Sequence, residues 1–313
     1  MNNTTELHVV FGTGPLGRAV IRELVAQGKQ VKVVNRSGQL QDVPANVEVV
    51  AGDATNPASV RTLCQDATVV YHCAQPGYTH WPKDFPPITN GIIEGLSGTD
   101  TKLVFGDNLY MYGPASGPIT EDLPYHADGH KGRTRSLMAN AVLEAHRSGK
   151  IRATIGRGSN FYGPYVRDST VGAIVFGAAL SGKAVTMLGN PTLPHTYTFI
   201  DDFGKGLVTL GTHDEALGQA WHVPNISTTT TRSFVEMVFK EVGKPVKAST
   251  VSRPMVTLAG LFNTDIRETK EMLYEFEEPY VVDSSKYERT FGKHATSYEE
   301  GIRQTVAWYR QHQ

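Results

Sequence analysis

The stretch that decides the fold lies near the start of the chain and reads Leu7-His8-Val9-Val10-Phe11-Gly12-Thr13-Gly14-Pro15-Leu16-Gly17. Its first five residues are a short apolar run, which is typical of a buried strand. Pro15 is a residue type that often begins a helix, and Gly28 marks where this helix ends. Gly12, Gly14 and Gly17 stand between the two elements in the spacing G-x-G-x-x-G. The stretch therefore predicts a strand, a tight turn and a helix, in that order.

The spacing of these glycines predicts a site for the pyrophosphate of a dinucleotide. Gly12 permits the tight turn, Gly14 lets the backbone approach the phosphates, and Gly17 lets the helix pack closely on the strand. The helix N-terminus supplies free N–H groups and a partial positive charge. We expect the whole turn to bind a dinucleotide cofactor, through Gly12, Thr13, Gly14, Pro15, Leu16 and Gly17. A glycine-rich turn with no ligand is the alternative.

The first half of the chain alternates between strand and helix patterns. Further strands are predicted in apolar runs at Val31–Val34, Val47–Val50, Thr68–Tyr71, Lys102–Phe105 and Ile151–Ile155. Helices are predicted from Pro15 and from Pro57, and over Asp84–Leu96 and Ser136–His146. This alternation predicts an α/β fold with a Rossmann-type doubly wound parallel sheet.

The pattern is less regular after Gly163-Pro164. A strand is predicted at Gln219–Val223, and helices at Val171–Leu180, from Phe199 to about Gly211, and at Ser233–Val242, Pro254–Phe262 and Tyr298–Trp308. We expect residues 1–165 to form the dinucleotide-binding domain, which residues of about 195–225 rejoin. Residues 166–313 are expected to form a smaller C-terminal α/β cap that binds the substrate.

Charge and hydropathy argue against several kinds of partner. The formal net charge is −1, so the chain has no basic field for nucleic acid or for an anionic membrane. No apolar run is long enough to cross a bilayer, and the polar start, residues 1–5, has no leader pattern. We expect a cytoplasmic protein with a small-molecule substrate and no metal site.

The end of the second predicted strand bears on the choice of cofactor. NAD-specific folds usually carry a carboxylate here, which bonds the ribose 2′-hydroxyl. This chain has Asn35, Arg36 and Ser37 instead. Because the planar cation of Arg36 can pair with a 2′-phosphate, the sequence favours NADP(H) over NAD(H); a solvated surface arginine is the alternative. Asp53, which follows the third strand, could meet the adenine or cap the next helix.

Further motifs resemble the short-chain dehydrogenase/reductase superfamily, in its extended epimerase/dehydratase-like branch. The resemblance covers nearly the whole chain and rests on the glycine turn, Gly52-Asp53, Val69–Ala74, Leu109–Pro114, Arg157–Pro164 and Phe199–Asp202. The last two are similar to the family signatures R-P-x-N-V-Y-G-P and Y-V-D-D. The resemblance implies that Ala74 and Asn160 border the cofactor, that Asn160 also contacts the substrate, and that the chain forms a homodimer.

The catalytic residues of that family are replaced in this chain. The family uses Ser or Thr after the fifth strand and Tyr-x-x-x-Lys on the next helix. Alignment on Tyr112 places Asn108 at the Ser/Thr position, and alignment on Glu144 places Ser136 and Asn140 at the Tyr and Lys positions. The amide of Asn108 can still donate to a substrate carbonyl. Neither Ser136 nor Asn140 can act as a general acid near neutral pH, so the branch is atypical.

Other residues are candidates to supply a proton. Tyr110 is the first candidate, because it lies two residues after Asn108. Tyr78 is the second, since in this fold the loop after the fourth strand faces the nicotinamide, and it is also a candidate for substrate contact. His130 and Lys131 are expected in the loop before the helix that begins near Ser136. For each of these residues packing or solvation is the simpler role.

His195 separates the chain from sugar-nucleotide enzymes of the family. Those enzymes usually have Arg six residues before the first Asp of V-D-D, and here that position is His195. A diphosphate needs a bidentate cation, so this substrate class is disfavoured, although His195 is still expected to contact the substrate. The leading hypothesis is an NADP(H)-dependent oxidoreductase for a small carbonyl or alcohol. The alternatives are a non-catalytic NADP(H)-binding, redox-responsive regulator of NmrA-like type and, third, a sugar-nucleotide epimerase or dehydratase.

Overall fold

The computed structural model describes residues 6–259, 261–262 and 268–312. The polar start at residues 1–5 and residue 260 of the predicted Pro254–Phe262 helix lie outside the described residues. The chain divides into two compact units. The first contains the residues up to Asn108, Arg133–Arg157 and Phe203–Val223, and the second contains Leu109–Gly132, Gly158–Asp202 and the residues from Pro224 onward.

Seven parallel strands form the central sheet of the first unit. They are β1 (Leu7–Phe11), β2 (Gln30–Asn35), β3 (Val47–Ala51), β4 (Ala67–His72), β5 (Lys102–Asp107), β6 (Arg152–Arg157) and β11 (Ala220–His222). Their order across the sheet is β11-β6-β5-β4-β1-β2-β3, so the direction of winding reverses between β1 and β4. This arrangement confirms the predicted Rossmann-type sheet, and open sheets of this kind bind ligands at the carboxyl ends of the strands beside the reversal.

Helices connect these strands. They are α1 (Pro15–Ala26), α2 (Pro57–Leu63), α3 (Trp81–Leu96), α4 (His130–Arg147) and α6 (Ile200–Thr212). Helix α1 begins at Pro15, as its sequence predicts, and buries Val20, Ile21 and Leu24. Helix α3 begins three residues before the predicted Asp84, because Trp81 and Phe85 lie one turn apart and are both buried.

Helix α4 begins six residues before the predicted Ser136, at His130. Its first two turns bury Lys131, Thr134 and Arg135, and the first apolar residue of the buried face is Met138. A search for apolar periodicity cannot detect a buried face whose first members are polar. The expectation that His130 and Lys131 lie in a loop was therefore wrong, since both belong to the first turn of α4.

The described residues of the second unit form short strands and six helices. The strands are β7 (Asn160–Tyr162), β8 (Val185–Leu188), β9 (Pro194–His195), β10 (Tyr197–Phe199), β12 (Thr229–Thr230) and β13 (Ala248–Val251). The helices are α5 (Ala173–Ser181), α7 (Thr231–Val242), α8 (Arg253–Ala259), α9 (Tyr274–Glu277), α10 (Ser285–Phe291) and α11 (Tyr298–Gln311). Strand β7 pairs with β10, β8 with β13 and β9 with β12. An aromatic core that includes Tyr162, Phe176 and Phe234 packs strands β7, β8 and β10 against helices α5, α7 and α11.

Residues 109–132 belong to the second unit, although the sequence places them in the first domain. Ile119 forms two backbone hydrogen bonds with the segment around Val282. Its N–H donates to the Val281 carbonyl at 2.7 Å, and its carbonyl accepts from the Asp283 N–H at 2.9 Å. Leu109, Met111 and Tyr112 pack into the same small core as Tyr280. None of the helices in the described ranges is long and apolar enough to cross a membrane.

Candidate functional site

The glycine turn of the first unit joins β1 to α1. Gly12 has a φ of 101°, and a Cβ atom there would lie 2.6 Å from the backbone of Ala74. A Cβ on Gly17 would lie 2.0 Å from the Gly12 carbonyl oxygen, so both positions require glycine for packing. A Cβ on Gly14 would meet no described atom within 4 Å. The turn therefore leaves open space at Gly14, next to the free N–H groups at the start of α1, where a pyrophosphate could lie.

The loop after β2 uses the side chain of Asn35 to build its own turn. Asn35 Oδ1 accepts hydrogen bonds from the backbone N–H groups of Ser37 at 3.1 Å and Gly38 at 2.7 Å. The Ser37 hydroxyl also donates to Asn35 Oδ1, at 3.1 Å. Arg36 is exposed, and its side chain makes no hydrogen bond or ion pair with the described residues. Of the three residues expected to bind the ribose, Arg36 is thus the one whose side chain is available to a ligand.

Asp53, at the end of β3, does not cap the following helix. Asn56 is the residue at the N-terminus of α2 whose side chain accepts from the backbone N–H groups of Ala58 and Ser59. Asp53 Oδ1 instead accepts from the backbone and hydroxyl of Thr55, at 2.8 and 2.7 Å. These hydrogen bonds lower the pKa of the Asp53 carboxyl group. The structure therefore excludes the helix-cap role of Asp53, and the contact with the adenine stays a prediction.

A buried ion cluster stands at the carboxyl end of β5. Arg135 Nη1 lies 3.2 Å from Asp107 Oδ1, and Arg157 Nε lies 3.4 Å from Asp107 Oδ2. The Asn108 backbone N–H donates to Asp107 Oδ1 at 2.9 Å. Burial raises the pKa of Asp107, and the two guanidinium groups beside it act in the opposite direction. The cluster holds the turn that carries Asn108, the residue at the Ser/Thr position of the family.

Arg135 is also enclosed by aromatic rings. Its Cζ atom lies 4.3 Å from the centre of the Trp81 ring and 4.4 Å from that of Phe85. Its Nη2 donates to Gln75 Oε1 at 3.2 Å. Only 3% of Arg135 is exposed, so the guanidinium group is shielded from solvent. This contact connects the loop after β4 to the end of β5.

Sequence reasoning missed both Asp107 and Arg135. Each directly precedes a residue that the family alignment singled out, Asn108 or Ser136. The spacing of Lys131, Arg135 and Met138 along α4 was the signal that could have found Arg135, because these positions share one face of a helix.

The positions of the missing tyrosine and lysine lie farther along α4. Ser136 is half-buried and Asn140 is exposed. Tyr78 lies in one turn of 3-10 helix, Tyr78–His80, where 38% of it is exposed and its ring packs edge-on against Trp81 at 5.1 Å. The structure thus leaves the phenol of Tyr78 on the surface of the first unit.

Tyr110 begins one turn of 3-10 helix in the second unit, Tyr110–Tyr112. Tyr110 is half-buried, whereas Tyr112 is 2% exposed and packs in the small core with Ile119. The charge of an ionised Tyr110 would raise the pKa of Tyr280, so the two phenols are electrostatic neighbours. Tyr110 is therefore outside the core and adjoins the polar cluster described next.

Asn160, His195 and Glu275 form a polar cluster in the second unit. Asn160 Nδ2 lies 3.1 Å from His195 Nε2 and 3.0 Å from Glu275 Oε2. The two amide hydrogens of Asn160 are thus directed at these two acceptors. The backbone carbonyl of Glu275 is in turn hydrogen-bonded to the His195 ring, which places the imidazole proton on Nδ1. The structure therefore joins Asn160 and His195, two expected substrate contacts, to Glu275, which the sequence did not indicate.

His195 lies in a stack of aromatic rings. Its ring centre is 4.5 Å from that of Tyr197, 4.9 Å from that of Phe276 and 5.1 Å from that of Tyr280. His195 is 2% exposed, and burial lowers its pKa to about 3. It is therefore a neutral imidazole at physiological pH and carries no charge for a phosphate.

Glu275 is a buried carboxyl group, and no cation of the described residues is among the groups that shift its pKa. It is 1% exposed, and burial raises its pKa to about 7 despite hydrogen bonds from Asn160 and Tyr280. Its Oε1 atom is buried and makes no hydrogen bond of good geometry in the described part of the chain. No sequence pattern linked Glu275 to Asn160, because 115 positions separate them.

Lys131 does not have a free amine. Its Nζ pairs with Glu268 and lies 3.5 Å from Glu271 Oε2, and its backbone N–H donates to Glu271 Oε1 at 2.7 Å. Lys131 is 1% exposed. These contacts connect the first turn of α4 to the segment before α9, so Lys131 has a packing role in the second unit.

Comparison with known proteins bears on the family of the chain. The pattern of the NAD dependent epimerase/dehydratase family matches residues 9–223. Bovine (Bos taurus) sterol-4-alpha-carboxylate 3-dehydrogenase, decarboxylating, is 29% identical over 233 residues, which are 69% of this chain and 64% of that protein. The chain thus spans less than two thirds of the length of this relative.

Solved structures share the fold. UDP-glucuronic acid 4-epimerase from Bacillus cereus, in complex with UDP-glucuronic acid and NAD, has a TM-score of 0.79 at 22% identity and covers 98% of this chain and 100% of its own. dTDP-glucose 4,6-dehydratase from Bacillus anthracis, in complex with NAD, has a TM-score of 0.79 at 18% identity, with 98% and 97% covered. Since the family pattern spans more than half of the chain and includes the glycine turn, the protein belongs to the NAD dependent epimerase/dehydratase family of the extended short-chain dehydrogenase/reductase superfamily.

Proposed function

We propose that the protein is an NADP(H)-dependent oxidoreductase of atypical short-chain dehydrogenase type that acts on a small carbonyl or alcohol. The observation that carries the proposal is the glycine turn, where packing accounts for Gly12 and Gly17 but not for Gly14. A glycine that the protein's own packing does not require fits a close approach by a ligand's phosphates. Arg36, whose side chain has no partner among the described residues, supports a 2′-phosphate.

The residues of the turn, with Arg36 and Ala74, would hold the cofactor, which when bound supplies or accepts the hydride. Asn108 would donate its side-chain amide to the substrate oxygen, where negative charge develops as the carbonyl is reduced. Asp107 supports this role because it binds the Asn108 backbone N–H at 2.9 Å. Tyr110 would add a hydrogen bond to the same oxygen. Asn160 would contact the substrate through Oδ1, because its two amide hydrogens are directed at His195 and Glu275.

The surroundings of His195 support a substrate without a nucleoside diphosphate. A sugar-nucleotide enzyme needs a cation that can form bidentate hydrogen bonds with the diphosphate. His195 is a neutral, buried imidazole that is covered by Tyr197, Phe276 and Tyr280. This position therefore offers no charge to a diphosphate, and a smaller substrate is the better fit.

A non-catalytic NADP(H)-binding regulator is the second candidate function. The observation that favours it is that Ser136 and Asn140 replace the family's tyrosine and lysine, since neither residue can act as a general acid near neutral pH. Such a protein would bind the cofactor and report the cellular redox state without turning over a substrate.

The test begins with calorimetric titration of the protein with NADPH and NADH. A panel of small aldehydes, ketones and keto acids is then screened by the loss of NADPH absorbance, with Asn108→Leu as the matched inactive control. Turnover by the wild type and not by the control supports the oxidoreductase. Tight NADPH binding without turnover of any compound favours the regulator, and activity on a sugar nucleotide would overturn the substrate class.

A further inference from the structure

We propose that Arg135 is a positioning residue for the nicotinamide half of the cofactor site, because its side chain holds both the loop after β4 and the turn after β5. This inference rests on the cofactor binding proposed above, and all the residues that carry it belong to the first unit. It names a residue that orders this edge of the sheet in a chain whose helix α4 has Ser136 and Asn140 at the positions of the family's tyrosine and lysine.

The order of the strands indicates which half of a dinucleotide would reach which loop. The pyrophosphate is expected at the glycine turn after β1, and Arg36, after the neighbouring strand β2, is expected to bind the 2′-phosphate of the adenosine half. Strand β4 lies on the other side of β1, and β5 lies next to β4. Since a dinucleotide binds across the reversal of the sheet, its nicotinamide half is expected at the carboxyl ends of β4 and β5.

The loop after β4 starts directly against the glycine turn. A Cβ atom on Gly12 would lie 2.6 Å from the backbone of Ala74, so the two segments are in close contact. Gln75 is the next residue of the loop, and it is exposed. Its Oε1 atom accepts a hydrogen bond from Arg135 Nη2 at 3.2 Å. The guanidinium group of Arg135 therefore holds the first loop residue beyond the contact with the glycine turn.

The same guanidinium group holds the turn after β5. Arg135 Nη1 lies 3.2 Å from Asp107 Oδ1, and this oxygen also accepts the backbone N–H of Asn108 at 2.9 Å. Strands β4 and β5 are paired neighbours, with His72 opposite Phe105 near their carboxyl ends. One side chain of α4 therefore contacts the segments that follow two adjacent strands, and both segments lie at the edge where the nicotinamide half is expected.

The surroundings of Arg135 keep its side chain in one orientation. Its Cζ atom lies 4.3 Å from the centre of the Trp81 ring and 4.4 Å from that of Phe85, and 3% of the residue is exposed. A guanidinium group donates in fixed directions from several nitrogen atoms, whereas a lysine ammonium is a point charge on a flexible stem. The loop and the turn are thus held by a rigid group before any ligand binds, which lowers the cost of ordering them around a cofactor.

Replacement of Gln75 tests the proposal without removing the buried cation. Gln75→Ala is expected to raise the Kd of NADPH and the Kd of NADH by the same factor, about 3–10-fold, because it releases the loop on the nicotinamide side. The Kd of 2′,5′-ADP, which carries the adenosine phosphates and no nicotinamide, should stay unchanged. Gln65→Ala, which replaces another exposed glutamine of the first unit, is the matched control and should bind all three ligands as the wild type does. Calorimetric titration of the full chain measures each Kd.

Arg135→Lys supplies the second readout. It keeps a cation for Asp107 but loses the fork that reaches Gln75, so it should weaken NADPH and NADH and spare 2′,5′-ADP. Adding Gln75→Ala to Arg135→Lys should cause no further loss of NADPH affinity, since both changes remove one contact.

Three results would overturn the role of Arg135: wild-type affinities in Gln75→Ala, an equal loss for 2′,5′-ADP, or additive losses in the double variant. A wild-type protein that binds no dinucleotide would overturn both this role and the proposed function. If the variants behaved as expected while the wild type reduced no carbonyl, the oxidoreductase function would fail and the role of Arg135 would stand.

Discussion

Asp107 and Arg135 form an ion pair that is shielded from solvent, with 3.2 Å between Oδ1 and Nη1 and side-chain exposures of 0% and 4%. Arg157 approaches the other carboxylate oxygen at 3.4 Å. The same Asp107 Oδ1 accepts the backbone N–H of Asn108. The Asp107 carboxylate therefore connects helix α4 and strand β6 to the turn that carries Asn108, the residue proposed to polarise the substrate carbonyl.

Removal of Arg135 is expected to destabilise the protein strongly. Arg135→Met would leave Asp107 with one cation in place of two, and breaking a buried ion pair costs about 3–5 kcal/mol. We expect a loss near the lower end, about 3 kcal/mol, since Arg157 stays in place. Urea unfolding followed by circular dichroism measures this loss. Arg147→Gln, which removes an exposed ion pair with Glu144 on the same helix, should change the free energy of unfolding by less than about 0.5 kcal/mol.

A double-mutant cycle separates the ion pair from the packing of Arg135 on Trp81 and Phe85. Asp107→Asn alone and together with Arg135→Met gives the coupling energy between the two residues. We expect a coupling of more than about 1 kcal/mol. Additive effects would mean that the aromatic contacts, and not Asp107, account for the loss.

Gly14 and Gly17 of the turn are expected to respond differently to replacement by alanine. Gly14 has a φ of −70° and open space around it, so Gly14→Ala should fold with nearly unchanged stability but bind NADPH at least about tenfold more weakly. Gly17→Ala should destabilise the fold itself, because its Cβ would lie 2.0 Å from the Gly12 carbonyl oxygen. Thermal unfolding and NADPH titration of both variants check this. Normal NADPH affinity in Gly14→Ala would place the phosphates elsewhere.

The strands of the fold could be predicted because their sequences carry the relevant physics locally. Val9–Phe11 and Leu103–Phe105 are apolar runs that are buried in a parallel sheet, and such runs are visible in a short window of sequence. The start of α4 could not be predicted in the same way. Its buried positions at Lys131 and Arg135 are charged, and only tertiary partners make their burial tolerable.

The part of the candidate site that could be predicted from the sequence is the part whose residues belong to one contiguous motif. The glycine turn and Arg36 belong to one contiguous βαβ unit, so their spacing predicts their roles. Glu275 reaches Asn160 across 115 positions, and it stands in a short helix with no motif of its own. Long-range contacts of this kind follow from tertiary packing, which one sequence does not reveal.

Arg36 is expected to discriminate between the two cofactors. Arg36→Ala should weaken NADPH binding by about tenfold or more, because it removes a charge-assisted contact with the 2′-phosphate, and should leave NADH binding nearly unchanged. Calorimetric titration with each cofactor measures both constants. Arg61→Ala is the matched control, since Arg61 is an exposed arginine that donates to the Ser97 carbonyl at 2.8 Å. Equal losses for NADPH and NADH in Arg36→Ala would show that Arg36 does not read the phosphate.

His72 is expected to make the protein acid-sensitive. It is fully buried beside Thr89, 3.0 Å from Nε2 to Oγ1, and burial lowers its pKa from 6.5 to about 3. Below pH 6.5 the unfolded chain therefore binds a proton that the folded chain does not, so stability falls as the pH falls. His72→Gln should reduce the slope of unfolding free energy between pH 6 and 4 by about 1.4 kcal/mol per pH unit.

Asn108 is expected to matter for the rate and not for cofactor affinity. Asn108→Leu removes the amide that would donate to the substrate oxygen, and the loss of one such donor lowers kcat by about 10²–10³-fold. Tyr110→Phe should have a smaller effect, about tenfold, since it removes one hydrogen bond to the substrate oxygen. Ser136→Ala, at the family's tyrosine position, should stay within about tenfold of the wild type because a serine hydroxyl does not act as a general acid near pH 7. Steady-state kinetics with an established carbonyl substrate, together with NADPH titration of each variant, distinguish these cases. Wild-type rates for both Asn108→Leu and Tyr110→Phe would move the carbonyl site away from the end of β5, with Tyr78 as the next residue to test.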